Sequence, residues 1–229
     1  YLTGPKGEPL TQDLHWSKWE AYTTWLSGMG MMAIVYWIGA SSYLIDSNVM
    51  ALSPAAAIGI SLAFLVAGWV VYDVLCRNMV GKDGMLAAIV FVFVMVANYA
   101  LHQVFSARGA YIHVGAMLGT MMAANVFFHI MPGQRRMVAQ IHAGEKVDPR
   151  PGIIGKQRSV HNTYFTLPVL FIMISSHYPM TYANANGWLV LGVLMLAGVL
   201  IRQFFVLRHR GQVKWWLPAA GVALIAFIV

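Results

Sequence analysis

Seven stretches of the chain are nearly free of charge and are separated by short polar or basic segments: 19–45, 53–75, 85–105, 111–131, 161–178, 187–207 and 215–229. A bilayer core about 30 Å thick is crossed by about 20 apolar residues in helical form, so each stretch predicts a transmembrane helix. The expected fold is therefore all-α: a polytopic transmembrane helix bundle with seven helices in this chain. The connections Asp46–Leu52, Cys76–Gly84, Ser106–Ala110 and Pro179–Asn186 are short, which makes consecutive helices antiparallel neighbours. The exception is 132–160, a basic stretch containing Asp148-Pro149-Arg150-Pro151-Gly152. It is expected to be a loop long enough to fold over a site. Within the spans, Pro168 predicts a kinked fifth helix, and Gly115-x-x-x-Gly119 predicts close packing of the fourth. Residues 1–18 are polar, with Gly4-Pro5 and Gly7-Glu8-Pro9, and read as a cytoplasmic juxtamembrane segment. A first residue that is Tyr and an apolar run still open at Val229 predict a piece of a longer chain.

Composition supports a lipid environment. Of the 229 residues 59% are hydrophobic and 10% charged, against about 25% charged in ordinary soluble domains. The +7 net charge is explained by topology, because basic segments are retained in the cytoplasm. Fourteen cations fall on one side: Lys6, Lys18, Arg77, Lys82, Arg135, Arg136, Lys146, Arg150, Lys156, Arg158, Arg202, Arg208, Arg210 and Lys214. Arg108 alone falls on the other. The expectation is a multi-pass protein of the bacterial inner membrane, with its basic loops cytoplasmic and its Val229 end periplasmic. No nucleic-acid partner is needed to explain the charge. A lone cysteine, Cys76, excludes an internal disulfide and a Cys-x-x-Cys-His haem attachment site, so any haem in this chain is non-covalent.

Ionisable side chains at membrane depth are functional hypotheses by default, and here most are histidines. His102, His113 and His177 fall near the outer helix ends, His129 and His161 near the inner ends, and His15 just before the first span. Two levels of neutral imidazole suit haem b, and Arg108 is placed to answer haem propionates or lipid headgroups. Satisfied structural histidines are an equal reading of the cluster. His113 and His129 are sixteen residues apart on one helix, as are His161 and His177 on the next. That is a rise of about 24 Å with the side chains roughly 160° apart in azimuth. One straight helix pair cannot easily clasp two haems, so one haem, or two using different helix pairs, is the form expected. Glu20 and Asp73 read either as proton carriers or as partners of nearby cations.

At the inner ends, Gln134, Arg135 and Arg136 close the fourth helix, while Lys156, Gln157, Arg158, His161, Asn162 and Thr163 open the fifth. Guanidinium forks beside carboxamides suit a planar anion with several acceptors. The same cations also satisfy the topology rule without any ligand.

Four segments carry a family resemblance: His15-Trp16-x-Lys18-Trp19-Glu20-Ala21-Tyr22-x-x-Trp25-Leu26-Ser27-Gly28, then Gly39-Ala40-Ser41-Ser42-Tyr43-Leu44-Ile45-Asp46, then Ala124-Asn125-Val126-Phe127-Phe128, and above all Gly155-Lys156-Gln157-Arg158-Ser159-Val160-His161-Asn162-Thr163-Tyr164-Phe165-Thr166-Leu167-Pro168. Together they resemble the membrane domain of the PuuD-type urate hydroxylase (cytochrome c urate oxidase) family, over essentially the whole chain. The resemblance implies oxidation of urate, or a related purine, to 5-hydroxyisourate, with electrons passed to a periplasmic cytochrome c that carries haem c outside this chain. It also implies one further helix before this region, eight in the full-length protein. On that basis Arg135, Gln157, Arg158 and Asn162 are candidate substrate-binding residues and His161 a candidate base. His113, His177, His102, His15, His129 and Arg108 are the haem candidates. The residues alone also allow a b-haem electron-transfer or accessory subunit of a larger respiratory or photosynthetic membrane complex, or a transporter or structural bundle.

Overall fold

In the computed structural model, which describes residues 16–228, helix occupies each of the seven predicted stretches. Helix α1 (Trp16–Met32) runs on as a π-helical segment, π1 (Ala33–Ile38), and a short α2 (Ala40–Tyr43). Then come α3 (Pro54–Asn78), α4 (Asp83–His102) and α5 (Ala107–Ala124), which continues through a second π segment, π2 (Asn125–Ile130), into α6 (Met131–His142). The last elements are α7 (Arg150–Ser175), α8 (Pro179–Tyr182), α9 (Gly187–His209) and α10 (Trp216–Ile228). Among the described residues, four helices are long and apolar enough to cross a membrane: Pro54–Asn78, Asp83–His102, the continuous Ala107–His142 and Gly187–His209. Helix α10 is shorter, at 13 residues, and α7 carries the polar Lys156–Thr163 turns along its length.

Helix starts follow local chemistry. Ser53 caps α3 by accepting the Ala56 N–H at 3.2 Å, with Pro54 in the first turn where its missing N–H has no helical partner to lose. Ser106 caps α5 in the same way through Gly109 and donates its own hydroxyl to the Tyr43 carbonyl at 2.7 Å. That bond ties the end of α2 to the start of α5. Helix α5 occupies the centre, packed on α1, α3, α4, α7 and α9, and its Tyr111, Val114, Met117, Leu118 and Met121 are buried.

The stretch 132–160 is not the loop expected from sequence. It is helical over Met131–His142 and again from Arg150, leaving only 143–149 as the connection. Pro151 sits in the first turn of α7, where a proline is well tolerated, whereas Pro132 lies inside the continuous 107–142 helix. Immediately before Pro132, π2 rewinds the backbone; a proline ring clashes with the carbonyl four residues back, and the wider π turn relieves that clash. Pro168 lies buried inside α7, which runs through it without a break.

The small-residue motif divides. A methyl added at Gly115 would come within 2.7 Å of Ile172 Cγ2 on α7, whereas Gly119 has open space around it. Close approach at Gly115 thus seats α5 on α7. Because Ile172 is β-branched, stiff and buried, Gly115→Ala is expected to destabilise the protein by about 1–3 kcal/mol, and Gly119→Ala to be neutral or slightly stabilising. Thermal unfolding in detergent micelles distinguishes the two.

Candidate functional site

The ends of α3 and π2 and the first turns of α7 meet in a connected polar cluster at the basic end of the bundle. Its centre is Arg158, only 1% exposed. One Nη donates to Asp73 Oδ1 at 2.7 Å and to the Asp73 carbonyl at 3.3 Å, and the other donates to Asn125 Oδ1 at 3.2 Å. The guanidinium also lies over the Tyr72 ring, 5.1 Å from its centroid. Asp73 is itself buried and gathers two more partners, His129 Nε2 on Oδ1 at 2.6 Å and Arg77 Nε on Oδ2 at 2.6 Å. Taking a lone charge out of water is strongly unfavourable, and pairing with good hydrogen-bond geometry is what lets it persist. Of the two roles open to Asp73 in the sequence, pairing is the one the geometry shows.

A second chain of bonds starts from Asn125. Its amide NH2 donates to the Tyr72 hydroxyl at 2.9 Å and to Asn162 Oδ1 at 2.8 Å. The Tyr72 oxygen lies 2.9 Å from His161 Nδ1, with Cys76 Sγ 3.7 Å from the same nitrogen. A hydroxyl oxygen accepts up to two bonds and donates one, so with Asn125 on one lone pair Tyr72 can donate to Nδ1 or accept from Nδ1–H, and both tautomers of His161 satisfy the network. Asn162 closes the circuit by donating to the Met122 carbonyl at 3.1 Å. The cluster can hold a fixed carboxylate and move a proton between a phenol and an imidazole.

The structure brings Arg158, His161 and Asn162 together, with Gln157 beside them on α7. The two Nη groups of Arg158 are committed to protein acceptors. Gln157 donates to Asp83 Oδ1 at 3.0 Å, and its Oε1 is buried with no partner among the described residues. Arg135 is separate. It is exposed and lines a cavity of about 430 Å³ together with Lys18, Trp19, Tyr22, Phe127 and Phe128. Sequence reasoning left out Tyr72, Cys76 and Asn125 as site residues. Asn125, a carboxamide inside an apolar span, carried a usable signal; Tyr72 did not stand out from nine other tyrosines.

The haem candidates do not converge. His113 is fully buried and satisfied at both nitrogens: Trp37 Nε1 donates to Ser61 Oγ at 2.9 Å, Ser61 Oγ donates to Nε2 at 2.6 Å, and Nδ1 donates to the Gly109 carbonyl at 2.7 Å. His129 is engaged by Asp73, His177 is exposed beyond the end of α7, and His15 lies outside the described residues. Arg108 stacks near Tyr43, 6.0 Å from its ring centroid. Among the described candidates, only His102 has the ligand-like arrangement. Nδ1 donates to the Asn98 carbonyl at 2.8 Å, and Nε2 is buried without a partner among the described residues. Its ring, however, packs edge-on to Tyr111, with ring centroids 5.5 Å apart. Among the described residues, these side chains are therefore not paired as a bis-histidine haem site. Among the described residues, no group of three His, Cys, Asp or Glu side chains is placed to hold a metal ion.

The azimuth inferred for His113 and His129 is also corrected. Both bond to α3, one to Ser61 and the other to Asp73, and His129 itself lies within π2. An i→i+5 turn winds through a smaller angle per residue than an α turn, which reduces the expected half-turn offset.

No curated protein and no solved structure matches the chain. The family model described as urate oxidase N-terminal matches residues 1–229. With the match covering the whole chain, this all-helical bundle belongs to the urate oxidase N-terminal family, and the family points to a urate-related oxidoreductase.

Proposed function

We propose that this chain is the membrane part of an enzyme that oxidises urate to 5-hydroxyisourate at the cytoplasmic face, with electrons delivered to a c-type cytochrome on the periplasmic side. Family membership supports urate as substrate, and the excess of cations at one end supports the orientation. The observation that carries the reading is the Tyr72–His161 pair, buttressed by Asn125 and Arg158 at that basic end.

The reaction adds water to urate and releases two protons and two electrons. A c-type haem would supply a one-electron acceptor for the two electrons, and the protons require a base. His161 supplies it in the tautomer that carries its proton on Nδ1. There, Nδ1–H donates to the Tyr72 oxygen and the Tyr72 proton turns towards Cys76 Sγ, leaving the Nε2 lone pair open. Asp73, Asn125 and Arg158 are positioning residues: they fix the ring and hydroxyl but touch no substrate. With full-length protein, urate is expected to reduce the c-type haem and to be consumed at one urate per two haem equivalents. An unchanged haem spectrum on urate addition contradicts the reading.

A further inference from the structure

We propose that the groove between α1, π2 and α6 seats one anionic glycerophospholipid from the leaflet at the basic end, its phosphate on Lys18 and Arg135 and an acyl chain against Tyr22, Phe127 and Met131. All five residues line one cavity of about 430 Å³. The site is separate from the Tyr72–His161 pair and involves neither urate nor haem.

Depth orders the groove. Tyr22 meets Phe127 with ring centroids 5.7 Å apart, and one turn further along α1 Trp25 Nε1 donates to Thr120 Oγ1 at 3.1 Å. Residue numbers rise on α1 as they fall from π2 into α5, so the two run antiparallel, and Lys18 and Arg135 share the lip at the basic end. Tyr22 lies one helical turn, about 6 Å, closer to the bilayer centre than Lys18, and Met131 one turn closer than Arg135. Phe127 lies deeper still. Cations at the lip with an apolar wall below follow the order in which a phospholipid presents its phosphate and its chains. Trp19 stands beside Lys18 with 56% of its surface exposed, at the level where indoles collect in a membrane.

Charge and shape select the occupant. The lining holds two cations and no carboxylate, and neither cation belongs to an ion pair among the described residues. A phosphodiester answers both, accepting paired hydrogen bonds from the guanidinium fork and facing the ammonium as a point charge. Basic pockets between helices on this side of a membrane are headgroup sites. The ring faces are already in use: Lys18 Nζ lies 5.4 Å over Trp19, and Trp69 packs on Phe128 at 5.1 Å and 31°. Ring edges remain, and they suit a flexible methylene chain better than a flat molecule. Phe127 is 56% exposed, so a chain laid along it gains apolar burial. A zwitterionic lipid brings its own cation to a lip that already has two, and a free phosphate leaves the apolar wall bare. Because π2 also supplies Asn125 and His129 to the Asp73–Arg158 cluster, a lipid bracing α1 against π2 stabilises the basic end.

The test uses full-length protein in nanodiscs of mixed phosphatidylcholine and phosphatidylglycerol, with the lipids retained after release counted by native mass spectrometry. The parent is expected to retain one phosphatidylglycerol in preference to phosphatidylcholine. Lys18→Gln and Arg135→Gln are each expected to weaken that preference about fivefold, and the double variant about 25-fold. Arg136→Gln, exposed at the same end but outside the groove, is expected to change it by less than about twofold. Thermal unfolding gives a second readout: phosphatidylglycerol raises the unfolding temperature of the parent and not of the double variant, while the two match in pure phosphatidylcholine. A phosphatidylglycerol carrying a diazirine in its acyl chain is expected to label 16–27 and 125–136. If Arg136→Gln loses as much preference as Arg135→Gln, the attraction is the diffuse field of the basic end and the proposal is overturned. Retention unchanged in the double variant, or label spread evenly over the outer faces of α3 and α4, overturns it as well. If inorganic phosphate binds the parent and no acyl label reaches the groove, the site takes free phosphate and the proposal equally fails.

Discussion

Arg158→Met is expected to destabilise the protein by about 3–5 kcal/mol, the usual cost of leaving a buried charge without its partner. The guanidinium is sealed from solvent and donates to Asp73 and Asn125. Methionine fills most of the volume but strands the Asp73 carboxylate beside an unanswered Asn125 oxygen. Because Arg77 and His129 still touch Asp73, the loss belongs at the lower end of that range. Asp73→Asn, which leaves Arg158 as the orphan, is expected to cost a similar amount. The double variant Arg158→Met with Asp73→Asn is expected to lose less than the sum of the two by about 0.5–3 kcal/mol. Unfolding of the solubilised protein, read as a double-mutant cycle, measures the coupling. Additive losses would show that the ion pair does not act as a unit.

Tyr72→Phe is expected to lower kcat for urate oxidation by about a hundredfold, within the span of general acid–base effects. The substitution keeps the ring that packs on Phe165 at 5.9 Å and lies under Arg158 at 5.1 Å. It deletes the hydroxyl that joins Asn125 to His161. His161→Ala should cost at least as much, and adding Tyr72→Phe to it should cost little more, since groups acting as one unit lose their effect together. A solvent deuterium isotope effect on kcat is expected in the parent and should change in Tyr72→Phe. If the variant is merely less stable and its folded fraction turns over at the parent rate with the same isotope effect, the pair is structural.

The helical stretches were legible because lipid imposes one rule on every span: apolar side chains outside and backbone bonds satisfied within the helix. The basic end was legible in charge alone. What failed was anything decided by local rewinding or by distant pairing. The turns around Pro132 and Pro151 read as loop, since proline and charge cluster there, yet Pro151 occupies a helix start and Pro132 lies inside the continuous 107–142 helix just after π2. The azimuth of His129 assumed uniform α winding, and π2 changed it. Arg158 stood out as a cation within a helix, but its acceptors come from α3 and π2, which no spacing in the chain reveals. His102, His113 and His177 share a level without sharing a centre. His113 turns to Ser61, His102 to Tyr111, and His177 to the surface.

The most direct test of a urate reaction at the basic end uses full-length protein in sealed vesicles of known orientation, with haem c absorbance followed as urate is supplied to one face at a time. The account predicts haem reduction only when urate reaches the face carrying the 143–149 turn, and its near loss in Tyr72→Phe. Equal reduction with urate on the opposite face, or none from either face, would contradict it.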